Sequence, residues 1–99
     1  MNIKKSVNGS SLTVTLEGKL TTSAAQQLDG ELKQELNGIT ELVFDLEKLE
    51  YITSAGLRML LSCQKVMNRQ GEMRLRRVNP QAYKILNMTG FLRMFVLED

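Results

Sequence analysis

Residues 45–66, DLEKLEYITSAGLRMLLSCQKV, decide how this chain folds. The stretch begins at the end of an apolar run, Leu42-Val43-Phe44-Asp45-Leu46, with too little alternation for a half-exposed strand. That composition predicts an interior strand covered on both faces. A short polar link, Glu47 to Glu50, leads through Tyr51-Ile52-Thr53 to Ser54, where apolar residues start to recur at helical spacing. Ser54 therefore reads as lying at or near the N-cap, its oxygen accepting one of the free N–H groups of the first turn. Ala55 and Gly56 leave that hydroxyl uncrowded. Glycine inside a helix costs about 1 kcal/mol relative to alanine, so Gly56 in the first turn points to a close approach by another element. On a helical wheel Leu57, Met59, Leu60, Leu61, Cys63, Val66 and Met67 span more than half the circumference, opposite Arg58, Ser62, Lys65 and Arg69. So wide an apolar face predicts packing against a sheet and also against a second helix or a partner.

Upstream, Ile3 to Val7 forms a weak strand, and Asn8-Gly9 signals a hairpin turn. Leu12, Val14 and Leu16 then alternate with Thr13 and Thr15 as a half-buried strand ended by Gly18. Ser23 and Gln26 have capping-box spacing, and Ala25, Leu28, Leu32 and Leu36 give one helical stripe before Asn37-Gly38 stops it. Downstream of Gln70-Gly71, Glu72 to Val78 reads as a strand with Met73 and Leu75 on one side. Arg74 and Arg76 face the other way, as charges that blunt a sheet edge do. Asn79-Pro80 opens a third helix lined by Ala82, Ile85 and Leu86, with Tyr83 flanking, and Gly90 closes it. Met94 to Leu97 is expected as a last short strand. The order β-β-α-β-α-β-α-β predicts one α/β domain over residues 1–99, with a mixed β-sheet of four to five strands and right-handed crossovers.

Composition removes most chemistries. The chain has 99 residues, no histidine, one cysteine and a net charge of +2. Without histidine there is no Ser-His-Asp or Cys-His machinery and no histidine-containing zinc site. One cysteine rules out an internal disulfide and a thiolate metal cluster. Gly18-Lys19 is followed by leucine, so the phosphate-binding loop pattern fails, and no cofactor or enzymatic activity is expected. Three arginines at 74, 76 and 77 in a nearly neutral chain do not make a nucleic-acid surface. The start, MNIKKSVNGSS, lacks an apolar signal run, and no apolar stretch reaches membrane-spanning length. The expectation is a cytoplasmic protein without membrane insertion.

The run Asp45-Leu46, then Tyr51-Ile52-Thr53-Ser54-Ala55-Gly56-Leu57 and Leu60-Leu61, resembles the signature of STAS domains, specifically the small bacterial anti-sigma factor antagonists. Gly18-Lys19-Leu20 is similar to that family's Gly-Arg-Leu, and Leu86-Asn87-Met88-Thr89-Gly90-Phe91 resembles its late Leu-x-x-Thr-Gly-Leu. The resemblance covers nearly the whole chain and implies a small sheet with helices packed mainly on one face.

It also implies a function. Ser54 occupies the position that the family's regulatory kinase phosphorylates. Unphosphorylated protein would bind an anti-sigma factor that is also a serine kinase, releasing a sigma factor. Phosphorylation would reverse this, and a serine phosphatase would restore it. Thr21 and Thr22 are placed by the resemblance at the same end as Ser54, and Thr53, Ala55, Gly56, Arg58 and Met59 complete the expected partner-binding set. Thr21 and Thr53 stand where many family members carry Asp, which favours an alternative: a non-switching STAS subunit of a lipid-transport or stress-sensing complex. Asp45 matches the family's strand-end acid, and its own reading is a carboxylate that caps the loop before Ser54.

Overall fold

An antiparallel hairpin starts the sheet. In the computed structural model, which describes residues 1–98, β1 (Asn2–Asn8) pairs with β2 (Ser11–Leu20) from Asn2 opposite Glu17 to Asn8 opposite Ser11. The turn between them holds Gly9 at φ +61°, in the first of two loop positions. A glycine there lets the turn follow the strand twist. β2 takes two parallel partners in succession. Ser11 to Thr15 pair with β3 (Glu41–Asp45), and beyond a bulge at Gly18/Lys19 the strand pairs with β4 (Leu49–Ile52). β5 (Glu72–Arg76) lies parallel to β3, and β6 (Val96–Glu98) parallel to β5. The order is β1-β2-β3-β5-β6, with β4 beside β2.

The sheet thus has six strands, where the hydropathy pattern indicated four to five. The extra one is β4. Its ends, Leu49 and Ile52, are buried, and its middle, Glu50 and Tyr51, is exposed. Four residues with that arrangement show neither alternation nor an apolar run, so the first two read as part of the polar link Glu47 to Glu50 and the last two as the lead into the helix. The last strand is also displaced: a 3-10 turn takes Phe91–Met94, and β6 follows at Val96–Glu98.

Register stacks the core. Leu12, Leu42 and Met73 lie side by side on one face, as do Val14, Phe44 and Leu75. They form one buried cluster with residues of three helices. These are Leu28 and Leu32 of α1 (Thr22–Glu35), Leu57, Leu60 and Met67 of α2 (Ser54–Gln70), and Ala82 and Leu86 of α3 (Pro80–Met88). The helices therefore cover this face, and each large apolar side chain so buried contributes roughly 1.5–3 kcal/mol. α2 also packs against α1, as its broad apolar face requires, although Val66 stays exposed and Leu61 only half-buried. Cys63 lies inside, and burial pushes its thiol up to about 12, so it stays protonated at neutral pH.

The opposite face is polar and bonded to itself. Arg74 meets Glu41 at 2.5 Å, Glu72 at 3.0 Å and Glu98 at 3.1 Å, and Arg76 meets Glu98 at 2.9 Å. The hydrogen bond from Arg74 holds the Glu41 carboxyl below the usual carboxylate range. β5 lies inside the sheet, so these arginines do not blunt an edge; they join carboxylates on both neighbouring strands. Exposed ion pairs are individually worth about 0–1 kcal/mol, so the apolar face dominates stability. Among the described residues no helix is long and apolar enough to cross a membrane.

Candidate functional site

Two helices begin at one end of the sheet. β2 and β4 are parallel and end level, with Leu20 opposite Ile52. Each strand runs directly into a helix, so Thr21-Thr22 and Thr53-Ser54 emerge together. Thr21 caps α1, its hydroxyl accepting from the Ala24 N–H at 3.2 Å; Ser23, which the capping-box spacing selected, lies inside the helix.

The cap of α2 is likewise a threonine. Thr53 Oγ1 accepts from the Gly56 N–H at 3.2 Å and donates to the Leu20 carbonyl at 3.0 Å, while the Thr53 N–H donates to that carbonyl at 3.1 Å. Ser54 is therefore the first helical residue and not the cap. The two hydroxyls have been given different tasks. That of Thr53 is half-buried and used in both directions, welding the end of β2 to the start of α2. Ser54 is exposed, and among the described residues its hydroxyl makes no side-chain hydrogen bond.

Gly56 shows why this turn needs glycine. A Cβ there would lie 2.8 Å from Leu20 Cδ2 and 2.9 Å from Ile52 Cγ2, and both neighbours are buried. Gly56→Ala should destabilise by up to about 2 kcal/mol, because overpacking of about 1–3 kcal/mol is offset by only the roughly 1 kcal/mol gained in helix propensity. Urea unfolding would check it; a gain in stability would mean that Leu20 and Ile52 can step aside.

Behind the helix starts, the β3–β4 connection is gripped from three sides. Asp45, 3% exposed, accepts the Glu47 N–H on Oδ1 at 3.1 Å, as expected of a loop-capping carboxylate. Its Oδ2 accepts from Arg77, through Nε at 3.0 Å and also through Nη2. The bond to Asp45 raises the Arg77 guanidinium above its ordinary value. Arg77 holds a left-handed backbone, φ +50°, with its N–H on the Glu98 carbonyl at 3.1 Å. Asn79 Nδ2 donates to the carbonyls of Leu46, Glu47 and Leu49 at 2.9, 3.0 and 2.7 Å. The Gly18 N–H takes the Lys48 carbonyl at 3.0 Å. Sequence reasoning did not identify Arg77 as the partner of Asp45. The available signal was the acid itself, since a carboxylate in an apolar strand requires a cation or several donors.

Between α1 and α2 a cleft of about 310 Å³ opens next to the helix starts. Ala25, Ala55 and Met59 supply its apolar lining, and Gln26, Asp29, Arg58 and Ser62 its polar groups. Met59 is only 3% exposed and Gly56 is buried. Gly56 has no side chain to offer a partner, and Met59 serves chiefly as packing between the helices. Thr21, Thr22, Ser54 and Arg58 are exposed, and Ala55 is half-buried.

A six-stranded mixed sheet, three helices on one face and two helix N-termini at one end define a small α/β domain of a recognisable class. The STAS domain family model matches residues 2–99, and the chain belongs to that family. A protein of Bordetella bronchiseptica named "Putative anti-sigma factor antagonist BtrV" is 36% identical over 86 residues, covering 85% of this chain and 74% of its own. The fold matches the anti-sigma factor antagonist SpoIIAA in its unphosphorylated form with a TM-score of 0.86 at 17% identity, over 99% of this chain and 89% of that one. It also matches the Bacillus cell fate determinant SpoIIAA in the phosphorylated form, with a TM-score of 0.78 at 17% identity, over 99% and 92% of the two chains.

Proposed function

We propose that this chain is an anti-sigma factor antagonist, a non-catalytic docking module switched by phosphorylation of Ser54. The unmodified protein binds an anti-sigma factor with serine kinase activity and so frees a sigma factor. The kinase then modifies Ser54 and ends the complex, and a serine phosphatase reverses the modification. Thr21, Thr22, Thr53, Ser54, Ala55 and Arg58 frame the docking surface.

The observation that carries this reading is the division of labour between Thr53 and Ser54. The fold needs the first hydroxyl and leaves the second uncommitted and exposed. No histidine is present to deprotonate Ser54, so its hydroxyl suits the role of another protein's substrate better than that of a nucleophile. A phosphoserine carries about −1.5 to −2 charge, and the first turn of a helix tolerates an anion well. The fold would survive the modification. A partner seated over it would have to strip water from a double charge, which costs several kcal/mol without a compensating cation.

The test is to incubate wild type and Ser54→Ala with the anti-sigma factor and ATP, and to map the phosphate by mass spectrometry. Label on Ser54 in the wild type and none in Ser54→Ala is expected. Wild-type affinity for the anti-sigma factor should fall by about tenfold or more on modification, equivalent to about 1.4 kcal/mol. Equal labelling of both proteins would remove Ser54 from its role. Tight binding without labelling would replace the switch with a permanent subunit.

A further inference from the structure

We propose that Arg58 is the intramolecular counter-ion of the phosphate on Ser54. Modification then has a second effect: it withdraws from the docking surface the cation that an acidic side chain of the anti-sigma factor would otherwise meet. This rests on the reading of Ser54 as the modified residue.

Ser54 and Arg58 are four residues apart on α2, so their Cβ atoms are neighbours at about 5–6 Å. Side chains on a helix lean toward its N-terminus, which brings a phosphate on Ser54 within reach of the long Arg58 side chain. Arg58 is exposed, and among the described residues it has no ion-pair partner. The other charge in the cleft is Asp29 on α1, whose own ion pair is with Lys33 at 4.0 Å. Ala25, Ala55 and Met59 line the same cleft and offer an apolar wall against which an arginine stem can pack.

A guanidinium and a phosphate make paired, charge-assisted hydrogen bonds, stronger than those of a neutral donor. A phosphate placed one turn away would therefore outcompete both water and Asp29 for Arg58. Before modification Arg58 lines the cleft one helical turn from the hydroxyl that the partner must cover. One covalent change would thus add negative charge at the centre of the surface and neutralise the positive charge at its edge.

The experiment needs no partner and no kinase. Phosphoserine is installed at position 54 by encoding it directly, and its second ionisation, ordinarily near pH 6, is followed by phosphorus NMR. A nearby cation favours the dianion, so the midpoint in the phosphorylated wild type should lie about half a pH unit below that in Arg58→Gln. Arg58→Lys should fall between them. Asp29→Asn, which removes the competing carboxylate, should move the midpoint down further. The gap between wild type and Arg58→Gln should narrow in about 1 M salt. Coincident midpoints in wild type and Arg58→Gln would overturn the proposal. Kinase labelling away from Ser54 would instead overturn the reading beneath it, and the two failures are told apart because the encoded phosphoserine does not depend on any kinase.

Discussion

Replacing Gly71 with alanine is expected to lower the unfolding free energy by about 3 kcal/mol or more, the upper part of the overpacking range. Gly71 ends α2 with its N–H on the Met67 carbonyl at 2.7 Å, and the Glu72 N–H after it takes the Thr40 carbonyl at 3.0 Å. The backbone torsion is not the obstacle, since φ is 173°, ordinary extended backbone. The obstacle is space. A Cβ would fall 2.0 Å from the Thr40 carbonyl oxygen and 2.6 Å from its carbon. Those are backbone atoms held from other directions. The Thr40 N–H donates to the Ser10 carbonyl at 2.8 Å, and Gln70 Nε2 donates to Leu36 and Ile39 carbonyls, each at 2.7 Å. The segment joining α1 to β3 is thus pinned at both ends and cannot retreat. The urea midpoint should drop with an unchanged m-value, and the melting temperature should fall by about 12 °C or more, at roughly 4–8 °C per kcal/mol for a domain of this size. Gly30, in the interior of α1, has nothing within 4 Å of its Cβ position, so Gly30→Ala should raise stability by about 0.5–1 kcal/mol. A loss below about 1 kcal/mol at Gly71 would show that the connection moves.

These two glycines separate what could be read in the sequence from what could not. Gln70-Gly71 marked the end of a helix, and that much is local. That the end abuts Thr40 is a contact across thirty-one positions, and no periodicity carries it. The same limit shifted the cap of α2 by one residue. Thr53 and Ser54 are both acceptable caps, and propensity does not divide them. What divides them is the Leu20 carbonyl, which offers Thr53 a second bond from a strand 33 residues away. Met59 was assigned to the surface because it is near Ser54 in sequence. Five helical steps of about 100° put it roughly 140° around the axis, so the wheel itself argued for the interior. β4 was hidden because its partner, the end of β2, lies past a bulge that pattern reading does not register. By contrast, the core face of β2 and α1's apolar stripe followed directly from alternation and helical spacing, because burial on one face dictates both.

Asn79 supplies the second large effect. Asn79→Ala is expected to cost about 2–4 kcal/mol, the sum of a lost helix cap and of carbonyls left without donors. Asn-Pro announces the cap, and the structure has it, with Asn79 Oδ1 accepting the Ala82 N–H at 2.7 Å. The amide nitrogen does something the sequence does not announce. Its two hydrogens serve three carbonyls, those of Leu46, Glu47 and Leu49, so one of the bonds is shared. Those residues span the connection and the first position of β4, which leads to the Thr53-Ser54 start of α2. Asn79→Asp separates the two roles. It keeps an oxygen for the Ala82 N–H and adds a negative charge that a helix start favours, so a residue acting only as a cap should lose nothing. A residue that also holds the loop should lose about 2 kcal/mol or more, since the donors vanish and a carboxylate oxygen faces three carbonyl oxygens. The same variant should speed hydrogen exchange in residues 46–52 while the amides of β3 stay protected, because β3 is bonded on both sides within the sheet. Stability equal to the wild type in Asn79→Asp would reduce Asn79 to a cap. It would leave Asp45, Arg77 and the Gly18 N–H to hold the loop that presents Ser54.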